Sequence, residues 1–363
     1  MKKILFGCLA LLNVTTYAQD SSKQSTTTPV SPLSFSGYVE GYYSYDFNKP
    51  QNNTKPAFIF SHNRDNEFSI NLAFIRAGYT GDKVRGALAI GTGTYMNANY
   101  AAEPGTLKNI YEANAGVKIG KKKLWFDIGI LPSHIGFESA VSKDCWTLTR
   151  SIIADNTPFF EGGARLNYTS DNSKWFLSGL LLNGWQRITR VEGNSKMSFG
   201  IQIQYKPTSS VTLNYSTFFG TDKPDSARLN RFYNNIYGIF QVNKQIGITA
   251  GFDFGTEQKT KGSSSHNTVY SPIFIAKYSF NDKWAIAARG EYYSDPNGIL
   301  IAANIPGGFK TYGYSLNLDY APANNVLFRV EGKTLNSKGA IFTFNKTPSN
   351  SDHFLTTSLA ISF

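Results

Sequence analysis

The chain has 363 residues, of which 41% are hydrophobic and 15% aromatic, and its mean hydropathy is negative. No apolar run approaches the roughly 20 residues that a membrane helix needs, which excludes a helical membrane bundle. The formal net charge is +11, yet the basic residues alternate with apolar ones or fall in turns, so nucleic acid is not an expected partner.

Residues 1–18 read as a signal peptide. Lys2 and Lys3 supply the charged start, Ile4 to Val14 the apolar stretch, and Tyr17-Ala18-Gln19 a small-residue cleavage site after Ala18. Leu5-Phe6-Gly7-Cys8 resembles a lipoprotein box but lies too close to Lys3 for an apolar segment to precede it. Removal of Cys8 leaves Cys145 alone, so no intrachain disulfide is expected. Residues 19–32 are rich in Ser, Thr and Pro and read as a flexible polar lead-in.

From residue 33 to 363 the chain reads as one domain of two-faced strands. In 198–206, Phe199, Ile201, Ile203 and Tyr205 share one face, while Ser198, Gly200, Gln202, Gln204 and Lys206 share the other. The same period of two recurs at 211–220, 246–255, 284–293, 311–320 and 355–363. Each segment approaches the 9–11 residues that a tilted strand needs to cross a bilayer. Short connectors with turn chemistry fall near 81–83, 120–123, 170–173, 207–210, 243–244, 281–282 and 322–325. Long ones fall near 48–65, 97–108, 132–159, 187–196, 221–230, 257–267, 295–309 and 336–352. Their strict alternation predicts an all-β fold: a transmembrane antiparallel up-and-down β-barrel of about sixteen strands, with short periplasmic turns, long extracellular loops and both termini on the periplasmic side.

Aromatic residues gather at strand ends. Tyr79, Trp125, Tyr168, Trp175, Tyr205, Tyr278, Trp284, Tyr320 and Phe363 lie near short turns, and Tyr43, Tyr45, Trp185, Phe219, Phe254, Tyr292 and Tyr312 near long loops. Two interfacial belts are expected from them. Charges on the polar faces would each cost about 2–4 kcal/mol if Arg or Lys met lipid at the midplane, so they are expected to line a wet lumen. The candidates are Arg85, Glu112, Lys118, Asp127, Arg165 and Asp253, followed by Arg289, Glu291, Asp319, Arg329 and Glu331. The plainer alternative is that they only solvate the interior; acids and bases nearly balance, so no ion preference follows. Arg76 either shares the face of Phe74 or is shifted by a bulge.

The longest connector, 132–159, has two readings. Folded inward, it would constrict the channel with Glu138, Lys143, Asp144, Arg150 and Asp155 setting a local field. Folded outward, it is a surface loop. Ile135-Gly136-Phe137 and Ile152-Ile153 need burial and tip the balance inward. Trp146 and Phe159 would be stacking positions for a solute.

The same stretch carries a family resemblance. Gly129-Ile130-Leu131-Pro132, Ile135-Gly136-Phe137-Glu138, Thr149-Arg150-Ser151, Asp155-Asn156-Thr157-Pro158-Phe159, Gly162-Gly163-Ala164-Arg165-Leu166 and Leu182-Asn183-Gly184-Trp185-Gln186 resemble the OmpL-like second β-barrel porin family, frequent in Bacteroidetes-type bacteria. The motifs cover roughly residues 124–206; the remainder matches in strand pattern and length. The resemblance implies an outer-membrane barrel with a pore, and brings no catalytic or binding residues with it.

Nothing points to chemistry. His62, His134, His266 and His353 fall in loops or at a strand edge without metal-ligand spacing, so no metal and no cofactor is expected. No His stands beside a nucleophile in a recognisable pattern, and no enzyme activity is expected. The function expected is passive diffusion of small hydrophilic solutes or ions. The alternative is a non-transport barrel, an enzyme or adhesion scaffold acting through its extracellular loops. Expected partners are outer-membrane lipids, lipopolysaccharide, the barrel-assembly machinery through the terminal aromatic Phe363, and, by analogy, further copies of the chain.

Overall fold

A computed structural model describes residues 31–303 and 305–363. The signal-peptide reading and most of the polar lead-in lie outside the described residues. The barrel begins with β1 (Leu33–Asp46), β2 (Phe68–Thr80), β3 (Val84–Thr92), β4 (Ile110–Lys118), β5 (Leu124–Pro132) and β6 (Phe160–Thr169). It continues through β7 (Trp175–Leu182), β8 (Ser198–Thr208), β9 (Val211–Gly220), β10 (Arg231–Gln241), β11 (Ile246–Gln258) and β12 (His266–Ser279). The last members are β13 (Trp284–Asp295), β14 (Phe309–Ala323), β15 (Val326–Ser337) and β18 (Ser351–Ser362). β16 (Phe342–Phe344) and β17 (Thr347–Ser349) form a small hairpin outside the barrel sheet, within the last long loop.

Sixteen strands close into one antiparallel barrel, sealed where β1 pairs with β18 from Tyr38↔Ser362 to Asp46↔Phe354. Closure removes the free edges that would otherwise recruit another chain or need hydrogen bonds in lipid. The strand count and the alternation of connectors agree with the pattern read from the sequence. The short turns owe their form to local side-chain acceptors. Asn243 Oδ1 accepts from the amides of Gln245 and Ile246, and Asn281 Oδ1 from those of Lys283 and Trp284.

The outward faces are apolar: Ile75, Ile90, Phe199, Leu316 and Leu359 are all exposed, as a lipid-facing surface requires. At the short-turn end, cross-strand partners stack ring on ring: Trp175 on Tyr205 at 4.2 Å and Trp284 on Tyr320 at 4.4 Å. At the other end Tyr292 meets Tyr312 at 4.5 Å. Two of the expected belt members turn inward instead. Trp125 shares the inner face of β5 with Asp127, under the Arg85 guanidinium at 4.4 Å. Trp185 is buried between Phe218 and Tyr233, with Arg231 over its ring at 5.3 Å. A ring near a strand end has equal access to either side, and these two find a cation to cover.

A bulge resolves Arg76. Glu40 pairs with Leu72 and Gly41 with Ile70, so Asn71 is an extra residue in β2. Ile70 before it and Ile75 after it both face out, which moves Phe74 and Arg76 together onto the inner face. There Arg76 donates to Glu112 at 2.7 Å. Asn71 is held in place by its amide donating to Glu40 at 2.9 Å and its carbonyl accepting from His62 N at 2.9 Å.

Candidate functional site: a lumen filled by the longest loop

The 132–159 segment, L3, lies inside the barrel. At its entry, His134 is clamped at both ring nitrogens: Nδ1 lies 2.7 Å from Glu161 Oε1 and Nε2 2.7 Å from the Thr217 carbonyl. Both neighbours are acceptors, so both nitrogens are served only by the imidazolium. Burial opposes that charge, but Glu161 outweighs it and the His134 pKa rises. The ring fits because β8 has Gly200 beneath it; a Cβ there would stand 2.5 Å from Nε2. Ser216 Oγ donates to the His134 carbonyl at 2.7 Å, and Gly136 N to Asn235 Oδ1 at 3.1 Å.

The loop then runs to the short-turn end. Lys143 Nζ donates to Ser362 Oγ at 2.7 Å, and the Trp146 indole lies against Gly247 at the start of β11. Arg329 donates to the carbonyls of Ser142 at 2.6 Å, Cys145 at 3.0 Å and Thr147 at 3.3 Å, while Asp319 balances its charge at 2.7 Å. Ser142 Oγ donates to Glu40 on the opposite side of the tip.

The returning arm climbs the wall of β13–β15, and the wall answers it at the two-residue strand period. After Arg329, Glu331 accepts from Thr149 N, and Lys333 donates to the Arg150 carbonyl at 2.9 Å. From β13, Arg289 donates to the Thr149 carbonyl at 2.7 Å and Glu291 accepts from Ile152 N at 2.6 Å. From β14, Asn317 accepts from Leu148 N at 3.1 Å. Inside the loop, fully buried Arg150 donates to the carbonyls of Ser139, Leu148 and Ala140 at 2.6, 2.8 and 3.1 Å. One guanidinium thus closes both arms. Glu138 accepts from the Ser151 hydroxyl, which also caps helix α2 (Ile152–Asp155) through Ala154 N. Asp155 then accepts from Ser61 Oγ at 2.8 Å and from the amides of Phe60 and Ser61, joining L3 to the first long loop, L1 (residues 47–67). Burial pushes the Asp155 carboxyl up to about 6, and the Cys145 thiol up to about 11.

An apolar layer covers this loop at the long-loop end. Ile135, Ile152 and Ile153 of L3 meet Ile59 of L1 and Ile299 and Ile301 of the 296–308 loop. Inward side chains of the strands complete the layer, among them Leu182, Phe218, Tyr233, Tyr293 and Phe354. A second cluster, around Tyr38, Leu72, Tyr95, Tyr100 and Phe160, adjoins helix α1 (Thr94–Asn99). Two recesses open above: one of about 660 Å³ between L1, the 296–308 loop and the β16–β17 hairpin, and one of about 250 Å³ beside Asp155, Trp185 and Arg231.

The charges picked from sequence therefore fall into two groups. Arg289, Glu291, Asp319, Arg329 and Glu331 are buried against the loop or one another, and Asp253 is buried accepting from Tyr233 and Asn235. These six do not border open water. Arg85, Lys118, Asp127 and Arg165 stand on the β3–β6 wall toward the short-turn end, while Glu112 lies nearer the long-loop end of β4, paired with Arg76. Arg85 and Arg165 flank Asp127 at 2.6 and 3.4 Å. Of the loop residues, Lys143 and Asp144 sit at the tip, Glu138 and Arg150 brace the interior, and Asp155 holds L1. Phe159 faces the edge of Tyr95 at 5.5 Å. Sequence reasoning missed Ser61, the bulge at Asn71, the contact of His62 with Asn71 and the Ile299-Leu300-Ile301 run. The last had the signal already applied to L3: consecutive apolar residues within a long connector.

The model of the family described as "Putative beta-barrel porin-2, OmpL-like" matches residues 32–363. No curated protein matches the chain. Among solved structures, the barrel is similar to the anion-selective porin from Comamonas acidovorans, at 8% identity over 91% of this chain and 99% of that one, with a TM-score of 0.60. It is similar to the outer-membrane expressed OmpT of Vibrio cholerae, at 12% identity over 91% and 97%, with a TM-score of 0.58. It is also similar to Salmonella typhi OmpF in complex with daunomycin, at 12% identity over 91% and 97%, with a TM-score of 0.55. At such identities the likeness speaks for the fold.

Proposed function

The chain belongs to the OmpL-like β-barrel porin-2 family and is an outer-membrane porin; we propose that L3 sets its aperture. The observation that carries this is the fixing of L3 inside the lumen, its returning arm held through the main chain by side chains of β13, β14 and β15 and its entry held against β9 and β10. Small hydrophilic solutes and ions pass beside the loop, along the β3–β8 wall where the inner side chains are partly exposed. Passage past the apolar layer requires L1 and the 296–308 loop to move aside, since a dry constriction resists ions. Family and fold point to a channel, and the chain works without enzymatic chemistry. Phe363, exposed at the end of the last strand, is the site offered to the assembly machinery, and the apolar outer faces meet lipid and lipopolysaccharide. One structure of OmpT from Vibrio cholerae is of a trimer form, which supports a homo-oligomer here.

The test is conductance in a planar bilayer, with wild type and a variant in which residues 137–151 are replaced by a short Gly-Ser link. Wild type should conduct weakly and the variant several-fold more. A barrel that is folded by heat-modifiable migration yet seals with and without L3 would overturn the reading and favour a scaffold acting through its outer loops.

A further inference from the structure

We infer that the periplasmic vestibule left open by L3 selects small anions, such as inorganic phosphate or short carboxylates. The inference deepens the porin reading and rests on it for transport. The sequence alone gives a wall of nearly balanced charge. The structure divides that balance unequally between solvent and protein. Arg85 and Arg165 keep 16% and 22% of their side chains exposed, while Asp127 between them keeps 2%. Arg76 is 20% exposed and its partner Glu112 11%. Further acids of the wall, Glu291, Glu331 and Asp319, are turned into the loop or onto buried arginines.

Three more cations extend the open wall. Lys118 on β4, Lys206 on β8 and Lys277 on β12 lie on inner faces and are partly exposed. The opposing groups are few: Asp144 is exposed at the loop tip, but Lys143 is beside it. The turns that rim this end add Lys121, Lys122 and Lys123 in one connector, against single acids such as Asp82 and Asp171 elsewhere. A solute entering from the periplasm therefore meets two partly exposed cations around one buried carboxylate at the Arg85–Asp127–Arg165 cluster, and lysines on either side. A recess lined by one sign of charge between low-dielectric walls concentrates the opposite ion.

Trp125 gives a local reporter, because its ring lies under Arg85 within this vestibule. The full-length barrel in lipid is titrated with iodide and with caesium as collisional quenchers at low salt, where the Debye length is long. The Trp125→Phe variant supplies the background to subtract. A potential of about one kT raises iodide roughly threefold and depletes caesium as much, so iodide should quench Trp125 several-fold better. Arg165→Gln with Lys206→Gln should narrow the difference. In the bilayer, a potassium chloride gradient should give a reversal potential of anion-selective sign. Equal quenching, or caesium ahead of iodide, overturns the inference whatever the conductance. A conducting barrel with a cation-selective reversal potential also overturns it and leaves the porin reading intact. Preferential iodide quenching in a barrel that never conducts upholds the anion vestibule and removes the porin reading.

Discussion

Arg329 on β15 donates to the main-chain carbonyl of Ser142 at 2.6 Å, from a position where neither residue has contact with solvent. The same guanidinium reaches the carbonyls of Cys145 and Thr147 and is neutralised by Asp319. A planar group with several fixed donors is suited to gathering carbonyls that point to one spot. Replacing it with Leu leaves the carbonyls of Cys145 and Thr147 without this donor, the Ser142 carbonyl with only the Cys145 amide, and Asp319 buried without its cation, a loss of about 3–5 kcal/mol for a broken buried pair. The barrel ladder does not depend on it, so Arg329→Leu should still insert and migrate as a folded barrel. L3 should become cleavable by added protease and the channel larger and noisier. Adding Asp319→Asn should recover part of the loss. Unchanged protease resistance of L3 in Arg329→Leu would show that the clasp is redundant.

The contact between L3 and L1 should depend on pH. Asp155 is buried against Phe60 and Ser61, and burial raises its carboxyl from 3.8 to about 6. In a released loop the group would return to its ordinary value. Below pH 3.8 both states are protonated and the shift contributes nothing. Between 3.8 and about 6 the docked state holds the extra proton, so docking weakens as pH rises, by roughly 3 kcal/mol in all at 1.4 kcal/mol per unit. Above about 6 the loss is complete. A nitroxide on exposed Ala57 should therefore sharpen its spectrum between pH 5 and pH 8. Asp155→Asn should remain immobile across that range; an equal response in that variant would place the titrating group elsewhere.

Much of this architecture is legible in the sequence because a strand has a fixed side-chain period and turns have a fixed chemistry. Phe199, Ile201 and Ile203 face lipid as their alternation requires, and Asn281-Asp282 turns where it should. What is not legible is phase after an interruption. One extra residue, Asn71, reverses the faces of half of β2, and nothing in 68–80 marks it except an Arg beside apolar neighbours. Nor does alternation tell a charge facing water from one facing a loop. Arg165 and Arg289 occupy equivalent inner positions, yet only the course of L3 makes the first solvent-facing and the second dry. The apolar pieces of L3 predicted burial, and those of L1 and the 296–308 loop carried the same message.

His134 should act as a second pH-dependent tie, at the other foot of L3. Its folded pKa is raised, with burial working against the rise and Glu161 overcoming it. The imidazolium contribution is present in full below the unfolded value of about 6.5 and disappears as pH rises through the folded value. His134→Gln can serve only part of this arrangement and should remove the pH dependence of protease cleavage between residues 133 and 137. Because the Asp155 contact weakens over a lower range, as pH rises from 3.8 to about 6, the two variants separate the effects. If His134→Gln leaves the cleavage profile unmoved, the ring serves packing alone.

The bulge at Asn71 makes a prediction about topology that needs no function. Ile75 is 67% exposed on the outer face, whereas Arg76 reaches inward to Glu112. A strand that kept the phase of Ile70 would put Arg76 in lipid, at about 2–4 kcal/mol near the midplane. Arg76→Cys in a lipid-reconstituted barrel should react with a charged, water-soluble maleimide. Ile75→Cys should react only with a reagent that partitions into the bilayer. Asn71→Ala removes the side-chain bonds to Glu40 and His62 N, each contributing about 1 kcal/mol with more lost if a buried group is left bare. It should lower the unfolding temperature of the barrel without changing the labelling pattern, because the extra residue remains. Deleting residue 71 outright should cost those same bonds but not the topology: Ile70 and Leu72 become consecutive, opposite Gly41 and Glu40, so the ladder with β1 runs without a bulge and Arg76→Cys still faces water. If Arg76→Cys in the deletion variant were closed to the aqueous reagent, the phase of residues 72–80 would not be set by their pairing with β1, and the bulge at residue 71 would not be what reconciles Ile70 with Arg76.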